Sequence, residues 1–148
     1  MQKEKNVKEV RALKIKNRHL EKLVELIDIP LHGSDARARN HFVTTLGKQL
    51  YFLNAERQRL FKEYSEKDES GKVKLIENGS KFDITPENSQ KVNEELTMIY
   101  EEEYVFDILP STEKEFKVVK DIILNSTKTF NLTDGAVYDD ICKQFEII

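Results

Sequence analysis

Between residues 35 and 64 the apolar positions recur with the period of a helix that buries one stripe. Their spacing alternates between three and four residues, as at the a and d positions of a coiled coil. The segment holds no proline and a single glycine, so we predict an uninterrupted helix roughly 45 Å long at 1.5 Å per residue. The stripe, which includes one arginine, comprises Val43, Leu46, Leu50, Leu53, Arg57, Leu60 and Tyr64.

A β-hairpin is predicted after this helix, over residues 72–84. Two short runs of alternating apolar and polar residues flank an Asn-Gly pair, which is a strong signal for a tight turn between strands. We expect the apolar residues of both runs to be buried on one face of the hairpin. These residues are Val73, Leu75, Phe82 and Ile84.

A second helix is predicted from Pro86 to about residue 103. Thr85 is a favourable N-cap, and proline is well tolerated at the first helical position. Because a hairpin reverses the chain, the two helices should run antiparallel. Residues 35–103 are therefore predicted to form a helical hairpin with the β-hairpin inserted in it.

The rest of the chain alternates between short strands and helices. Strands are predicted at 11–16 and 103–108, and we interpret the whole as one α+β domain, mainly helical, over residues 1–148. A small sheet and C-terminal helices complete the predicted fold. Predicted helix caps are Asn17 before a short helix, Ser34 before the long one, Thr112 with Glu115 as a capping box, and Thr133 before the last helix.

Composition places the chain among cytosolic proteins without a membrane segment. No apolar run approaches the roughly 20 residues that span a bilayer, and the first ten residues lack an apolar signal region. The net charge of −3 is uneven. Residues 1–64 hold 14 basic against 8 acidic residues, whereas residues 65–148 hold 10 against 19. Either the two parts pair their charges, or the first presents a basic face to an acidic partner.

One segment, 66–77, imitates a calcium-binding loop. The extra methylene of glutamate at the first position and Lys74 at the ninth weaken the match, and a hairpin follows instead of a helix. We therefore expect an ordinary polar turn without a metal. The matching positions 1, 3, 5, 6 and 12 are Glu66, Asp68, Ser70, Gly71 and Glu77.

Other reactive side chains form no recognisable catalytic or cofactor motif. The three histidines, His19, His32 and His41, lack the spacing of a helical metal site. Cys142 suits a small core residue, and the carboxylates of 100–104 suit a solvated helix end. We predict that the protein is not an enzyme and binds no cofactor.

Basic residues near the start of the long helix are the more suggestive feature. Arg37 and Arg39 occupy its first turns, where the helix dipole already favours anions. With Lys14, Lys16, Arg18, Arg57 and Arg59 they are predicted to form a basic strip. Interleaved aromatic residues or a docking motif, which nucleic-acid-binding proteins normally add, are lacking, so a protein or other acidic partner is favoured over nucleic acid. The alternative is that these charges are solvated or paired within the chain. The predicted binding residues are Arg37, Arg39, Lys74, Glu77, Asn78 and Lys81.

Two stretches of the chain are notable together: ALKIKNRHLEKLVELIDIPLHGSDARARNHFV, and ILPSTEKEFKVVKDIILNS with the later YDDICKQFE. They resemble a family of small phage proteins. That family consists of uncharacterised proteins from tailed phages and prophages of Gram-positive bacteria. The resemblance implies an accessory protein acting in the host bacterial cytoplasm. It implies no catalytic signature and no site residues.

Two functions follow as expectations. The first is a non-enzymatic binder that inhibits a host bacterial protein, with a defence component as one candidate, because recognition by a helix face or an added strand requires no catalytic group. The alternative is a structural component of the virion or tail assembly that forms a helical homo-oligomer. Arg57 is predicted to fix the register of the stripe against either the second helix or a second copy of the chain. A homodimer is favoured, because the second helix, roughly 27 Å long, cannot cover a stripe of roughly 45 Å.

Overall fold

The computed structural model describes residues 11–148. The expectation that no signal segment is present concerns residues 1–10, which lie outside this part of the chain. The fold is α+β and mainly helical, as predicted. Its elements are β1 (Arg11–Lys16), a 3-10 turn (Asn17–His19), α1 (Leu20–Ile27), α2 (Gly33–Tyr64), β2 (Leu75–Ile76), β3 (Lys81–Phe82), α3 (Pro86–Glu101), β4 (Glu103–Ile108), α4 (Glu113–Leu124) and α5 (Leu132–Ile147).

Strands β1 and β4 pair antiparallel although about 90 residues separate them in sequence. Leu13 lies opposite Phe106, and both side chains are buried against the helices. Alternate residues face solvent, among them Lys14 opposite Val105. This alternation is typical of a sheet with one covered face, and it confirms the two strands predicted from the sequence.

Helix α2 has 32 residues and is therefore roughly 48 Å long. Its apolar stripe is covered by two different elements, because α4 packs on α2 and so does α3. Leu46, Leu53 and Leu60 are all buried within one chain. The predicted helical hairpin is thus present, but α3 alone does not cover the stripe.

Arg57 does not lie in the buried part of this stripe, contrary to the prediction. Its side chain is exposed, and its guanidinium carbon lies 5.5 Å from the centroid of the Phe61 ring. A cation over an aromatic face gains electrostatic attraction without leaving water. The register role assigned to Arg57 therefore has no basis in this packing.

A single apolar cluster joins β1, β4, α1, α4, α5 and the first two thirds of α2. Phe42 of α2 is central to it. Its ring centroid lies 5.1 Å from that of Phe106 and 5.5 Å from that of Phe116 in an edge-on arrangement. Leu60 and Val92 are also buried but lie outside this cluster, between the ends of α2 and α3.

Of the five predicted helix caps, Thr85 is right and the other four are wrong. The Thr85 side chain accepts a hydrogen bond from the Asn88 amide, with Pro86 in the first position. The last helix is capped by Asn131, whose side chain accepts from the Asp134 amide, and not by Thr133. Helix α2 begins at Gly33, before Ser34.

Asn17, the third wrong cap, is buried and serves as a junction between distant segments. Its side-chain amide donates to the Ile99 carbonyl at 2.9 Å, and its side-chain oxygen accepts from Gln49 Nε2 at 3.0 Å. Its backbone amide donates to the Glu102 carbonyl at 2.8 Å. The side chain therefore ties the end of β1 to α2 and α3.

The capping box predicted at Thr112 and Glu115 is also not formed. Thr112 does precede α4, but its side chain makes no cap hydrogen bond to that helix. The hydroxyl oxygen instead accepts from the Leu109 amide at 3.0 Å. The threonine thereby closes the turn after β4.

We predict that Phe42→Ala lowers the free energy of unfolding by about 3–5 kcal/mol, because it removes a fully buried aromatic side chain and leaves a cavity. Phe52→Ala, on the exposed side of the same helix, should change it by at most about 0.5 kcal/mol. Urea unfolding monitored by circular dichroism measures both. Equal losses from the two variants would contradict this packing.

Candidate functional site

The predicted β-hairpin is present at the end of α2, and its turn needs an unusual backbone. β2 and β3 are two residues each, with Leu75 opposite Phe82 and Ile76 opposite Lys81. Between them Glu77, Asn78 and Gly79 have φ of 53°, 59° and 82°. Asparagine and glycine tolerate this left-handed region well, whereas glutamate does so less readily. The Asn-Gly signal thus identified the turn correctly.

Backbone hydrogen bonds join this hairpin to the residues that leave α2. The Glu66 amide donates to the Asp83 carbonyl at 2.7 Å, and the Lys74 amide donates to the Glu66 carbonyl at 2.8 Å. The Asp83 amide donates to the Lys74 carbonyl at 3.1 Å. The hairpin, defined here as residues 65–84, is therefore held as a folded unit on the helix end.

Aromatic and polar contacts fix this unit to both helices. The rings of Phe61 and Phe82 are parallel with centroids 6.0 Å apart. Tyr64 donates its hydroxyl hydrogen to Glu95 of α3 at 2.7 Å, and this bond raises the pKa of Tyr64. The hairpin does not join the β1–β4 sheet.

The exposed apolar residues of the hairpin differ from those expected. Leu75, predicted to be buried, is 51% exposed, and the neighbouring Ile76 is 41% exposed. Phe82, which lies opposite Leu75, stacks on Phe61 of α2, whereas Leu75 itself remains half exposed. The adjacent pair Leu75-Ile76 breaks the apolar-polar alternation, and this was the signal in the sequence that one of them faces outward. We call Leu75 and Ile76 the apolar tip.

Charged side chains surround the apolar tip. Lys74 precedes it, Lys81 lies opposite Ile76, and Glu77 follows it; all three are exposed. Neither lysine takes part in the ion pairs found among residues 11–148. Together with Asn78 in the turn, these predicted binding residues do lie side by side.

Arg37 and Arg39 lie at the opposite end of α2, roughly 40 Å away along the helix. Arg39 Nη1 donates to the carbonyls of Ile27 and Ile29 at 2.7 and 2.8 Å. It thereby satisfies acceptors at the end of α1, a structural role that the sequence did not predict, and its assignment to a binding surface stays a prediction. Arg37 is exposed on the opposite side of the turn.

The remaining members of the predicted basic strip are divided among separate contacts. Lys16 and Arg18 both pair with Glu101, at 3.1 and 2.7 Å. Arg59 is held by Glu56 and Glu63 on its own helix. Charges of the basic and acidic parts of the chain thus pair, and the strip is not assembled as one surface.

The calcium-like segment is organised as a turn. Asp68 accepts hydrogen bonds from the Ser70 hydroxyl at 2.6 Å and from the amides of Ser70 and Lys72, each at 2.9 Å. These bonds, that from the Ser70 side chain first, lower the pKa of Asp68. Within residues 11–148 no three His, Cys, Asp or Glu side chains are grouped to hold a metal ion.

Three other titratable groups have pKa values displaced by their surroundings. Burial raises the pKa of the Cys142 thiol, whereas a nucleophilic cysteine needs a lowered one. The hydrogen bond from Lys16 lowers the pKa of Glu101, which keeps it a carboxylate. Burial raises the pKa of Tyr138 to about 12, and its hydroxyl donates to the Ile123 carbonyl at 2.5 Å.

Comparison with protein-family profiles, with curated protein sequences and with solved structures found no match to this chain. No helix within residues 11–148 combines the length and apolar character needed to cross a bilayer.

We predict that the two arginines of the α2 start respond differently to truncation. Arg39→Ala should lower the free energy of unfolding by about 1–3 kcal/mol, because it leaves two half-buried carbonyls without their donor. Arg37→Ala, which removes the same charge from an exposed position, should change it by at most about 0.5 kcal/mol. Chemical unfolding of both variants measures this difference, and an unaffected Arg39→Ala protein would refute the structural role.

Proposed function

We propose that this chain is a non-enzymatic accessory protein of a tailed phage or prophage that binds and inhibits a host bacterial protein in the cytoplasm. A component of host defence is the first candidate for that protein. The observation that carries the proposal is the apolar tip, displayed on a hairpin that is fixed to the end of a long helix. The phage origin rests on the sequence resemblance alone.

The hairpin has the properties of a recognition element. Two adjacent aliphatic side chains are half exposed at its tip, although burial of each would gain about 1–2 kcal/mol. Its backbone is held in place by hydrogen bonds to residue 66, so little conformational entropy would be lost on binding. Apolar anchors on a pre-organised support are typical of protein interfaces.

Charge around the tip indicates the chemistry of the partner. Lys74 and Lys81 are exposed directly beside Leu75 and Ile76, with Glu77 next to them, and Asp68 is near enough to Lys74 for the lysine to help lower the pKa of that carboxylate. A complementary surface would be an apolar groove with acidic residues on its rim. Because the lysines lie on the rim, salt should weaken association mainly by slowing it.

The proposal that the protein is not an enzyme has its own support. The thiol of Cys142 and the carboxylate of Glu101 have pKa values displaced away from those of a nucleophile and a general acid. Asp68 is held by three hydrogen bonds within its own turn. These groups therefore serve structure.

The alternative is a virion or tail component that forms a helical homo-oligomer. Its main argument was that the second helix alone cannot cover the apolar stripe of α2. The stripe of α2 is already covered by α3 and α4 of the same chain. A homodimer would therefore have to form through another surface, and the homodimer stays a prediction. Light scattering at several protein concentrations tests it.

We predict that replacing both Leu75 and Ile76 with serine abolishes partner binding while the fold is kept. Both side chains are largely exposed, so thermal unfolding should shift by only a few degrees. Loss of two central apolar anchors should weaken binding by at least about tenfold. Immobilised wild-type and variant proteins are incubated with lysate of a Gram-positive host, and retained proteins are identified by mass spectrometry.

Leu132→Ser provides the matched control, because Leu132 is 92% exposed on α5, away from the hairpin. Support requires a host protein that wild type and control retain and the double variant does not. That protein, once purified, must bind wild type in a defined stoichiometry and lose activity on binding. Equal retention by the double variant, or retention of this chain's own copies alone, would overturn the proposal in favour of another surface or of self-assembly.

A further inference from the structure

The side of β4 that faces away from β1 is not paired with any strand of the described chain. The sheet consists of β1 and β4 alone. Extensive backbone contacts of β4 are with β1 only, whereas β1 also has α5 packed against it. An unpaired strand edge presents a row of N–H and C=O groups on which a further strand can form. We call this side of β4 the β4 edge.

The register of the ladder shows which backbone groups point outward at the β4 edge. The Asn17 amide donates to the Glu102 carbonyl, and hydrogen-bonded pairs alternate with unbonded pairs along an antiparallel ladder. The N–H and C=O groups of Glu103, Val105 and Asp107 therefore point away from β1. They form no hydrogen bond with any group of residues 11–148 outside the ladder. All three residues are exposed, so these groups are open to water or to another chain.

The side chains along the β4 edge indicate what a further strand should carry. Glu103 and Asp107 are exposed on the solvent face of the sheet, and Val105 between them is 45% exposed. Neither carboxylate takes part in the ion pairs found among residues 11–148. Side chains directly opposite each other in a ladder interact. The favoured neighbour is therefore a strand in which basic residues flank an apolar one at alternate positions.

The cations already near these carboxylates belong to β1. Lys16 lies opposite Glu103, but its ammonium group donates to Glu101 at 3.1 Å. Lys14 lies opposite Val105 and is thus diagonal to both carboxylates, at about 7–8 Å. A basic residue directly opposite a carboxylate on a further strand would be nearer, at about 5 Å between Cβ atoms. The two lysines of β1 therefore leave room for a closer basic partner.

A second copy of β4 fits this edge poorly. In the antiparallel pairing centred on Val105, Glu103 of each copy would lie opposite Asp107 of the other. Like charges directly opposite each other destabilise a ladder. The carboxylates that attract a basic strand therefore oppose the pairing of two copies, which is a common use of charged residues at exposed edges.

We propose that the β4 edge binds an extended basic segment of a partner protein as an additional antiparallel strand. Main-chain hydrogen bonds to Glu103, Val105 and Asp107 supply affinity, and the alternating side chains select the partner. The segment carries Lys or Arg opposite each carboxylate and an apolar residue opposite Val105. The β4 edge shares no residue with the hairpin, and this inference does not depend on the proposed function.

The probe is the peptide acetyl-Thr-Lys-Thr-Val-Thr-Lys-Thr-amide, titrated into the full chain while backbone amide exchange is followed by NMR. In the free protein the amides of Glu103, Val105 and Asp107 should exchange fast, whereas the amides between them are protected by the ladder. We expect a Kd of about 1 mM or tighter. At a free peptide concentration of about ten times the Kd, exchange of the three outward amides should slow about tenfold.

Three altered peptides separate the contributions of charge and backbone. Glutamate in place of both lysines should weaken binding at least about tenfold, because it places like charges opposite each other. N-methylation of the valine amide removes its hydrogen bond to Val105 and should also weaken binding at least about tenfold. N-methylation of a neighbouring threonine, whose N–H points away from β4, should change the affinity by less than about twofold.

Charge reversal in the protein gives the complementary test. Asp107→Lys should weaken binding of the lysine peptide at least about fivefold and strengthen binding of the glutamate peptide. Glu94→Lys makes the same charge change on α3 and should leave both affinities within about twofold. Both positions are exposed, so both variants should keep the fold.

Two results would overturn the proposal. The first is failure of the lysine peptide to saturate, or equal binding of the lysine and glutamate peptides. The second is slow exchange of the three outward amides without peptide, becoming slower as the protein concentration rises. That result would show that a second copy of the chain occupies the β4 edge.

Discussion

The long helix α2 imposes the constraint on which the rest of the fold depends. One apolar stripe along roughly 48 Å must be kept from water, and no other helix of the described chain is longer than 16 residues. The chain meets this by covering the stripe in two parts, with α4 near its start and α3 near its end. Helix α2 therefore belongs at once to a large globular body and to a slender helical pair that carries the hairpin. The buried apolar residues of the described chain thus form one large cluster, with Leu60, Val92 and, separately, Ala38 outside it.

To cover α2 in this way, the chain must come back to its first strand. It does so in the β1–β4 ladder. The polypeptide leaves β1, runs along α2 and back along α3, and enters β4 directly after that helix. Asn17 stands at this closure, with hydrogen bonds to α2 and to the end of α3. Because contacts between residues so distant in sequence carry the entropy of a long loop, they are slow to form.

The sequence predicted elements better than the partners of individual side chains. Helix α2 and both strands of the ladder follow from the local periodicity of apolar residues, and the Asn-Gly turn follows from the tolerance of these two residues for positive φ. Asn17 was expected to cap a helix, because asparagine favours cap positions. Its side chain instead forms hydrogen bonds with Ile99 and Gln49, which are distant in sequence. Arg39 likewise was read as a surface charge, whereas its bonds go to α1. The burial of His19 could not be predicted, since it depends on how the ends of β1 and α5 pack together.

The small core at the end of α2 and α3 bears on how this sequence can diverge. Leu60 and Val92 are buried between the two helices and take no part in the cluster that holds the body together. Insertions or replacements in the turn after Ile76 would disturb neither that cluster nor the β1–β4 ladder, and exposed loops tolerate such changes best. Related chains should therefore keep the body and vary in the length and composition of the hairpin, so that one scaffold carries many different tips.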